Sequence, residues 1–314
     1  AGAAYQAVTV EVGKIYTFSA NITSGTMSVR VGTAISGTQY KDLNTQTGSM
    51  SCTFTATSTT AYITLWPQSP NTTANIDNIS IRIAEADRSV NGDGLQVFGT
   101  VTKTPVATGA DLVAYSGFNP NNDNNTIDNY LQQPYNGKCQ TQSDGTLTLM
   151  CWIKAAVYPS VTNGRGIFGT VDTTTVPGDS FALTEIYGGK LSLFGFTAAP
   201  NYTSTFITTT DVVFFPNRWH LAAIVYDNGS VRYYVDGEEK PGEPAPAQLL
   251  SNIADMTNQP LVIGGPCWVG YEHYQFGGSV ALARASTTAP SPEQIKKIYE
   301  DEKFLFQDNA KATL

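Results

Sequence analysis

Apolar and polar residues alternate through Ile15-Tyr16-Thr17-Phe18-Ser19, through Met27-Ser28-Val29-Arg30-Val31 and through Tyr62-Ile63-Thr64-Leu65-Trp66. A period of two puts the apolar members of each run on one face of a pleated strand. Ile76 to Ile83 closes the series, with Ile79, Ile81 and Ile83 on one side. Gly, Pro and Asn clusters separate the runs, and no helical periodicity interrupts them. Residues 1–86 therefore predict a small antiparallel sandwich.

The same period returns further on. Leu147-Thr148-Leu149-Met150-Cys151-Trp152-Ile153-Lys154 reads as a strand ending on a Trp, and Arg218 to Tyr226 reads as another. The second runs through Asp227-Asn228-Gly229-Ser230 into Val231-Arg232-Tyr233-Tyr234-Val235 and then Asp236-Gly237. Asn-Gly between two β-rich runs predicts a hairpin, since both turn positions take positive φ. Only at Ser291 does the period change. Ser291 suits an N-cap, Pro292 the first helical position and Gln294 a capping box. Ile295, Ile298 and Tyr299 follow at helical spacing, and Phe304, Leu305 and Phe306 extend the apolar surface.

Composition strengthens the β reading. Charged residues make up 14% of the 314, against roughly 25% in ordinary soluble domains. Their place is taken by uncharged residues, among them 28 glycines, 40 threonines, 16 tyrosines and 14 phenylalanines; threonine and the aromatics favour half-buried pleated surfaces. A net charge of −8 and a pI near 4.7 repel phosphates, so nucleic acid is not an expected partner. No apolar run approaches the roughly 20 residues that span a bilayer, so membrane insertion is not expected. The start, Ala1-Gly2-Ala3-Ala4-Tyr5, lacks a Met, a basic segment and an apolar core, and reads as a processed or trimmed end. Cys52, Cys139, Cys151 and Cys267 show no Cys-x-x-Cys spacing, which points to buried free thiols and leaves the redox compartment open.

The charge is unevenly spread. Residues 1–86 hold four basic and four acidic side chains, whereas residues 87–290 carry −7. The shift near Asp87 marks a boundary. The expected fold class is all-β: two antiparallel β-sandwiches (jelly rolls) in tandem with one short C-terminal helix. Residues 1–86 form the first, 87–94 a linker, 95–290 the second, and 291–314 the helix and tail.

Gly13 to Ala20 and Ile76 to Ile81 give the first segment a resemblance to carbohydrate-binding-module-like jelly rolls. The second resembles the concanavalin A-like, laminin-G-like family in an ordered set of motifs. These are Trp152 to Lys154, Trp219 to Asp227, Tyr234 to Gly237, Ile263 to Gly265 and Phe276 to Val280, closed by Ser291 to Ile295. Asn129 to Tyr135 fits that family's early strand. Asp87 to Phe118 and Ala289 to Leu314 are similar to segments of tail-fibre or tailspike-like proteins of tailed phages. That resemblance implies an extracellular virion protein that attaches to host surface polysaccharide, works beside other virion proteins and forms a homotrimer.

Concanavalin-like folds include glycanases and lyases, so catalysis must be considered. Retaining glycoside hydrolysis needs two carboxylates about 5 Å apart, which alternating acids on one strand would supply. No strand has them. Glu238-Glu239 and Glu300-Asp301-Glu302 read as solvated surface, and His220 as a structural member of its strand. No catalytic residue is nominated. Gly264 to Gly278 is a glycine-bounded loop crowded with aromatics, whose flat apolar faces with polar edges suit pyranose rings. Trp268, Tyr271, Glu272, His273 and Tyr274 are its candidate glycan-binding residues, and Trp66 is a separate candidate stacking platform. No cofactor is expected. The one calcium candidate is Asn119 to Asp128, which offers oxygen ligands without the spacing or glycine of an EF-hand. The leading expectation is glycan recognition without catalysis; the alternatives are a polysaccharide depolymerase and a structural or decoration protein of the virion.

Overall fold

The computed structural model describes residues 3–67, 73–84, 94–118, 129–133, 145–156, 164–171, 180–186, 188–196, 204–213, 215–243, 260–265 and 275–307. These residues are mostly strand, with one α-helix and one 3-10 turn near the C-terminus. The chain divides into two compact units, Ala1–Gln96 and Val97–Leu314. No helix among the described residues is long and apolar enough to cross a membrane.

In the first unit, β1 (Ala4–Thr9), β2 (Ile15–Gly32), β3 (Lys41–Thr55), β4 (Thr60–Pro67) and β5 (Asn75–Ile83) share one antiparallel sheet. β3 pairs along one edge of β2. The other edge is divided: β5 takes Tyr16 to Ser24, and β4 takes Met27 to Gly32. The apolar pattern explains this arrangement. Tyr16, Phe18, Ala20 and Ile22 are buried at even positions, but Met27, Val29 and Val31 are buried at odd ones. A strand holds one face to the core only while parity is kept, so the switch demands a bulge. The β2–β3 register does shift, between Ile22 and Val29. Both halves then bury their apolar side in one core with Met50, Cys52, Phe54, Ala61 and Ile63. The layers of this sandwich are thus halves of one hydrogen-bonded sheet. Ile81 packs against that core as its spacing predicts, whereas Ile79 and Ile83 stay 52% and 53% exposed. β5 pairs on one edge only, and Asn78, at φ 54°, bulges it.

The remaining strands are β6 (Gln96–Phe98), β7 (Thr102–Pro105), β8 (Val113–Ser116), β9 (Tyr130–Gln133), β10 (Thr146–Ala155), β11 (Arg165–Val171) and β12 (Ser180–Ile186). They continue with β13 (Lys190–Phe196), β14 (Ser204–Thr208), β15 (His220–Asp227), β16 (Ser230–Val235), β17 (Glu238–Lys240), β18 (Leu261–Ile263) and β19 (Gly278–Ser286). Two seven-stranded sheets result, ordered β17-β16-β15-β10-β19-β8-β7 and β14-β13-β12-β11-β18-β9-β6. The Asn228-Gly229 turn joins β15 to β16 with both residues at positive φ, 46° and 85°, as the dipeptide predicts.

β10 is buried on both faces because it lies between two layers. Leu147, Leu149, Cys151 and Ile153 alternate with Met150 and Trp152, and the latter pair joins a core with Leu221, Ala223, Val225 and Ile295. Ile295 belongs to the helix, α1 (Pro292–Glu302), which covers the outer face of this sheet. Its start is the expected capping box: Ser291 Oγ accepts from the Gln294 N–H, and the Ser291 N–H donates to Gln294 Oε1 at 2.7 Å. The 3-10 turn Lys303–Phe306 follows and lays Phe306 on the Trp152 indole, with ring centroids 4.1 Å apart. Trp152 Nε1 donates to Glu302 Oε2 at 2.8 Å, and Arg284 holds both oxygens of the same carboxylate.

His220 is structural, as its place in the strand predicts. Its Nε2 accepts the Phe215 N–H at 3.1 Å, so the ring proton sits on Nδ1, 2.7 Å from Asp236 Oδ2. The other Asp236 oxygen accepts the Leu221 N–H at 3.0 Å. The pair ties the entry of β15 to the turn after β16. Long-range ¹H–¹⁵N correlation spectra at neutral pH are expected to show the Nδ1–H tautomer of His220. An Nε2–H ring would contradict this hydrogen-bond assignment.

Candidate functional site

The aromatic segment nominated by the sequence starts and ends on a hydrogen-bonded junction. β18 delivers Gly264, whose N–H bonds to Ile167 O at 2.8 Å. Gly264 sits at φ +72°, and a Cβ there would lie 2.1 Å from the Phe118 ring. Both features exclude a larger residue. At the far end, Gln275 is fully buried and donates through Nε2 to Gly264 O at 3.0 Å and Asn129 O at 3.4 Å. Asn129 is itself pinned: its Oδ1 accepts the Thr100 N–H at 2.7 Å and its Nδ2 donates to Gly117 O at 2.9 Å. Residues flanking 119–128 (Phe118 and Asn129) thus touch residues flanking 266–274 (Gly264 and Gln275). The described residues that flank the two segments singled out by sequence meet at one place in the second unit.

Trp268, Tyr271, Glu272, His273 and Tyr274 lie outside the described residues, as does the calcium candidate, Asn119 to Asp128. Among the described residues no group of three or more His, Cys, Asp or Glu side chains is arranged to hold a metal. Cys52 and Cys151 are buried free thiols. Burial pushes the Cys52 thiol up to about 11, with the Lys41 charge opposing it, and pushes Cys151 up as well, against the Arg284 charge. Cys139 and Cys267 lie outside the described residues.

Trp66 stands in the first unit, half-buried on β4. Met27, Val29 and Val31 face the core, so Ser28 and Arg30 lie on the other side of β2, where Ser28 is itself fully buried and Arg30 partly exposed, with Trp66 opposite Ser28 and Thr64 opposite Arg30. On the other side of β2, Asp42 stands opposite Arg30. The Arg30 guanidinium lies over the indole, 4.2 Å from its centroid, and its Nε donates to Asp42 Oδ1 at 3.1 Å. Ser28 Oγ donates to Asn44 Oδ1 at 3.2 Å in the neighbouring row. The loop after β2 covers Thr64, through the Ser36 N–H to Thr64 Oγ1 at 2.9 Å. Trp66 is therefore the floor of an arginine stack rather than a bare platform.

Arg30, Asp42, Asn129 and Gln275 are not among the residues nominated from sequence. Arg30 carried a usable signal: a charged residue at a polar position of an alternating strand must face outward. The acids considered for catalysis have structural partners. Glu238 pairs with Lys240, Glu239 accepts from the Tyr234 hydroxyl, Asp301 pairs with Lys297, and Glu302 holds Arg284 and Trp152.

A sequence profile of the concanavalin A-like lectin/glucanases superfamily matches residues 123–296. No curated protein sequence is matched. Among solved structures, the binding domain of Paraclostridial Mosquitocidal Protein 1 superposes with a TM-score of 0.51 at 13% identity, covering 70% of this chain and 49% of that one. The binding domain of botulinum neurotoxin serotype G does so with a TM-score of 0.51 at 12% identity, over 69% and 48%. Domain 4 of AbnA, a GH43 extracellular arabinanase from Geobacillus stearothermophilus solved with arabinotriose, gives 0.48 at 17% identity, over 69% of this chain and 93% of that domain. The chain spans about half the length of the two toxin structures it matches. At these identities the likeness describes the fold.

Proposed function

The chain belongs to the concanavalin A-like lectin/glucanases superfamily, and from that premise we propose that it binds glycans without transforming them. One observation carries the reading: the family match contains the whole span from Asn129 to Gln275, whose two ends are hydrogen-bonded to each other, with Gln275 also bonded to Gly264 at the start of the aromatic segment. A fixed base lets flat aromatic rings meet a sugar with little ordering cost. Trp268, Tyr271 and Tyr274 then stack on pyranose faces, while Glu272 and His273 bond hydroxyls. Asp236 and Glu302 support the non-catalytic reading, since hydrogen bonds within the fold engage both oxygens of each carboxylate.

The finer form of this proposal is a receptor-recognition protein of a phage virion. It would be a homotrimer among other virion proteins, outside the cell, on host surface polysaccharide. The tail-fibre-like stretches Asp87 to Phe118 and Ala289 to Leu314 support it.

Host capsule or lipopolysaccharide, presented with a neutral glycan array, tests the proposal on the full chain. Binding is expected, and Trp268→Ala and Tyr271→Ala should each weaken it at least about tenfold, the loss of one stacking ring. New reducing ends or unsaturated sugars would convert the protein into a depolymerase. Silence on every surface, with unchanged adsorption by both variants, would leave assembly as its role.

A further inference from the structure

We infer that the outer face of β2, β3 and β4 is a second saccharide site, selective for a sugar bearing an oxyanion, with Arg30 as its recognition group. This rests on the reading of the protein as glycan-binding and adds a place and a charge to it. The Arg30 guanidinium is held twice: its Cζ lies over the Trp66 ring, 4.2 Å from the centroid, and Asp42 accepts from Nε at 3.1 Å. Nε is the only Arg30 nitrogen with a hydrogen bond among the described residues. Among the described residues the Nη1–Nη2 edge therefore has its donors unengaged, on a side chain 29% exposed.

That edge is a planar fork matched to two oxygens of a carboxylate or phosphate. An arginine on a bare surface must give up rotamer freedom to present such a fork; here stacking and the Nε bond have already fixed it. Asn44 adds an exposed amide in the next row, 3.2 Å from Ser28 Oγ through Oδ1, whose Nδ2 makes no hydrogen bond among the described residues. It supplies donors for a neighbouring hydroxyl. Recognition here rests on donor geometry rather than on net charge, because Asp42 offsets the arginine and residues 1–86 are neutral overall. The shared ligand chemistry is an oxyanion on a sugar ring, from a uronate carboxylate or a sugar phosphate.

Calorimetric titration of the full chain with trigalacturonate, its methyl ester and mannose 6-phosphate tests this inference. The free acid is expected to bind at least about tenfold more tightly than the ester, which keeps every ring and hydroxyl but hides the oxyanion. Tighter binding of mannose 6-phosphate than of trigalacturonate would assign the phosphate source, and the reverse the uronate. Arg30→Lys keeps the charge and removes the fork, so it should abolish the preference for acid over ester. Asp42→Asn keeps an acceptor for Nε and removes the opposing charge, so it should tighten the acid severalfold, a gain that a merely structural ion pair would not give. Circular dichroism on both variants confirms the fold. Equal affinity for acid and ester, or an acid preference that survives Arg30→Lys, would overturn the inference. The neutral array separates the two readings: neutral glycan binding that persists while Arg30 proves indifferent sinks this site alone, and silence toward neutral and acidic sugars sinks both.

Discussion

Trp152→Ala is expected to destabilise the second unit by roughly 3–5 kcal/mol, the range for deleting a fully buried aromatic. The indole is sandwiched between β10 and the C-terminal helix. It stacks on Phe306 and Tyr299, and its Nε1–H is one of three donors on the Glu302 carboxylate. Its removal opens a cavity under α1 and leaves Glu302 on Arg284 alone. For a unit of this size the midpoint should fall by about 10 °C. Trp152→Phe is the milder change: it keeps one ring for Phe306 but loses the donor and the second ring, so a cost of about 2–3 kcal/mol is expected, below that of the alanine variant. Differential scanning calorimetry reads both. A loss below about 1 kcal/mol for the alanine variant would mean that α1 does not depend on this anchor.

Gly264→Ala should cost roughly 3 kcal/mol from one methyl group. About 1–2 kcal/mol comes from holding a non-glycine residue at φ +72°. The remainder comes from overlap with Phe118, whose ring lies 2.1 Å from the new Cβ. The consequence extends to binding. Gly264 O is the acceptor for Gln275, so a displaced Gly264 moves both ends of the aromatic segment, and glycan affinity should fall at least about tenfold. A double-mutant cycle isolates the overlap: Phe118→Ala should cost less in the Gly264→Ala background than alone. Additive costs would show that the two residues do not collide.

Local chemistry is what the amino-acid sequence reveals most directly. Asn228-Gly229 dictates its turn through the conformations those two residues tolerate, and Ser291 with Gln294 dictates the helix start through hydrogen bonds spanning one turn. Alternation located the strands of β2 and β4 for the same reason. Partnership between distant strands depends on register, which no local pattern contains. Arg30 reaches Trp66 because β4 lies on one side of β2, and reaches Asp42 because β3 lies on the other. Asn129 and Gln275, 146 residues apart, meet only once β9, β11 and β18 are paired. The His220–Asp236 bond lies between these extremes. Both residues fall in recognisable motifs, but only the hairpin register puts the carboxylate beneath the imidazole.

β2 has a consequence for how the first unit comes apart. Its front half is held by β3 and β5 and its rear half by β3 and β4, and neither half owns a strand edge or an apolar cluster sufficient for itself. Fraying that begins at either end meets a segment whose loss unzips the other, so partly open forms have little to stabilise them. The first unit is therefore expected to open in one step, and the Arg30–Trp66–Asp42 arrangement to last until the whole sheet gives way.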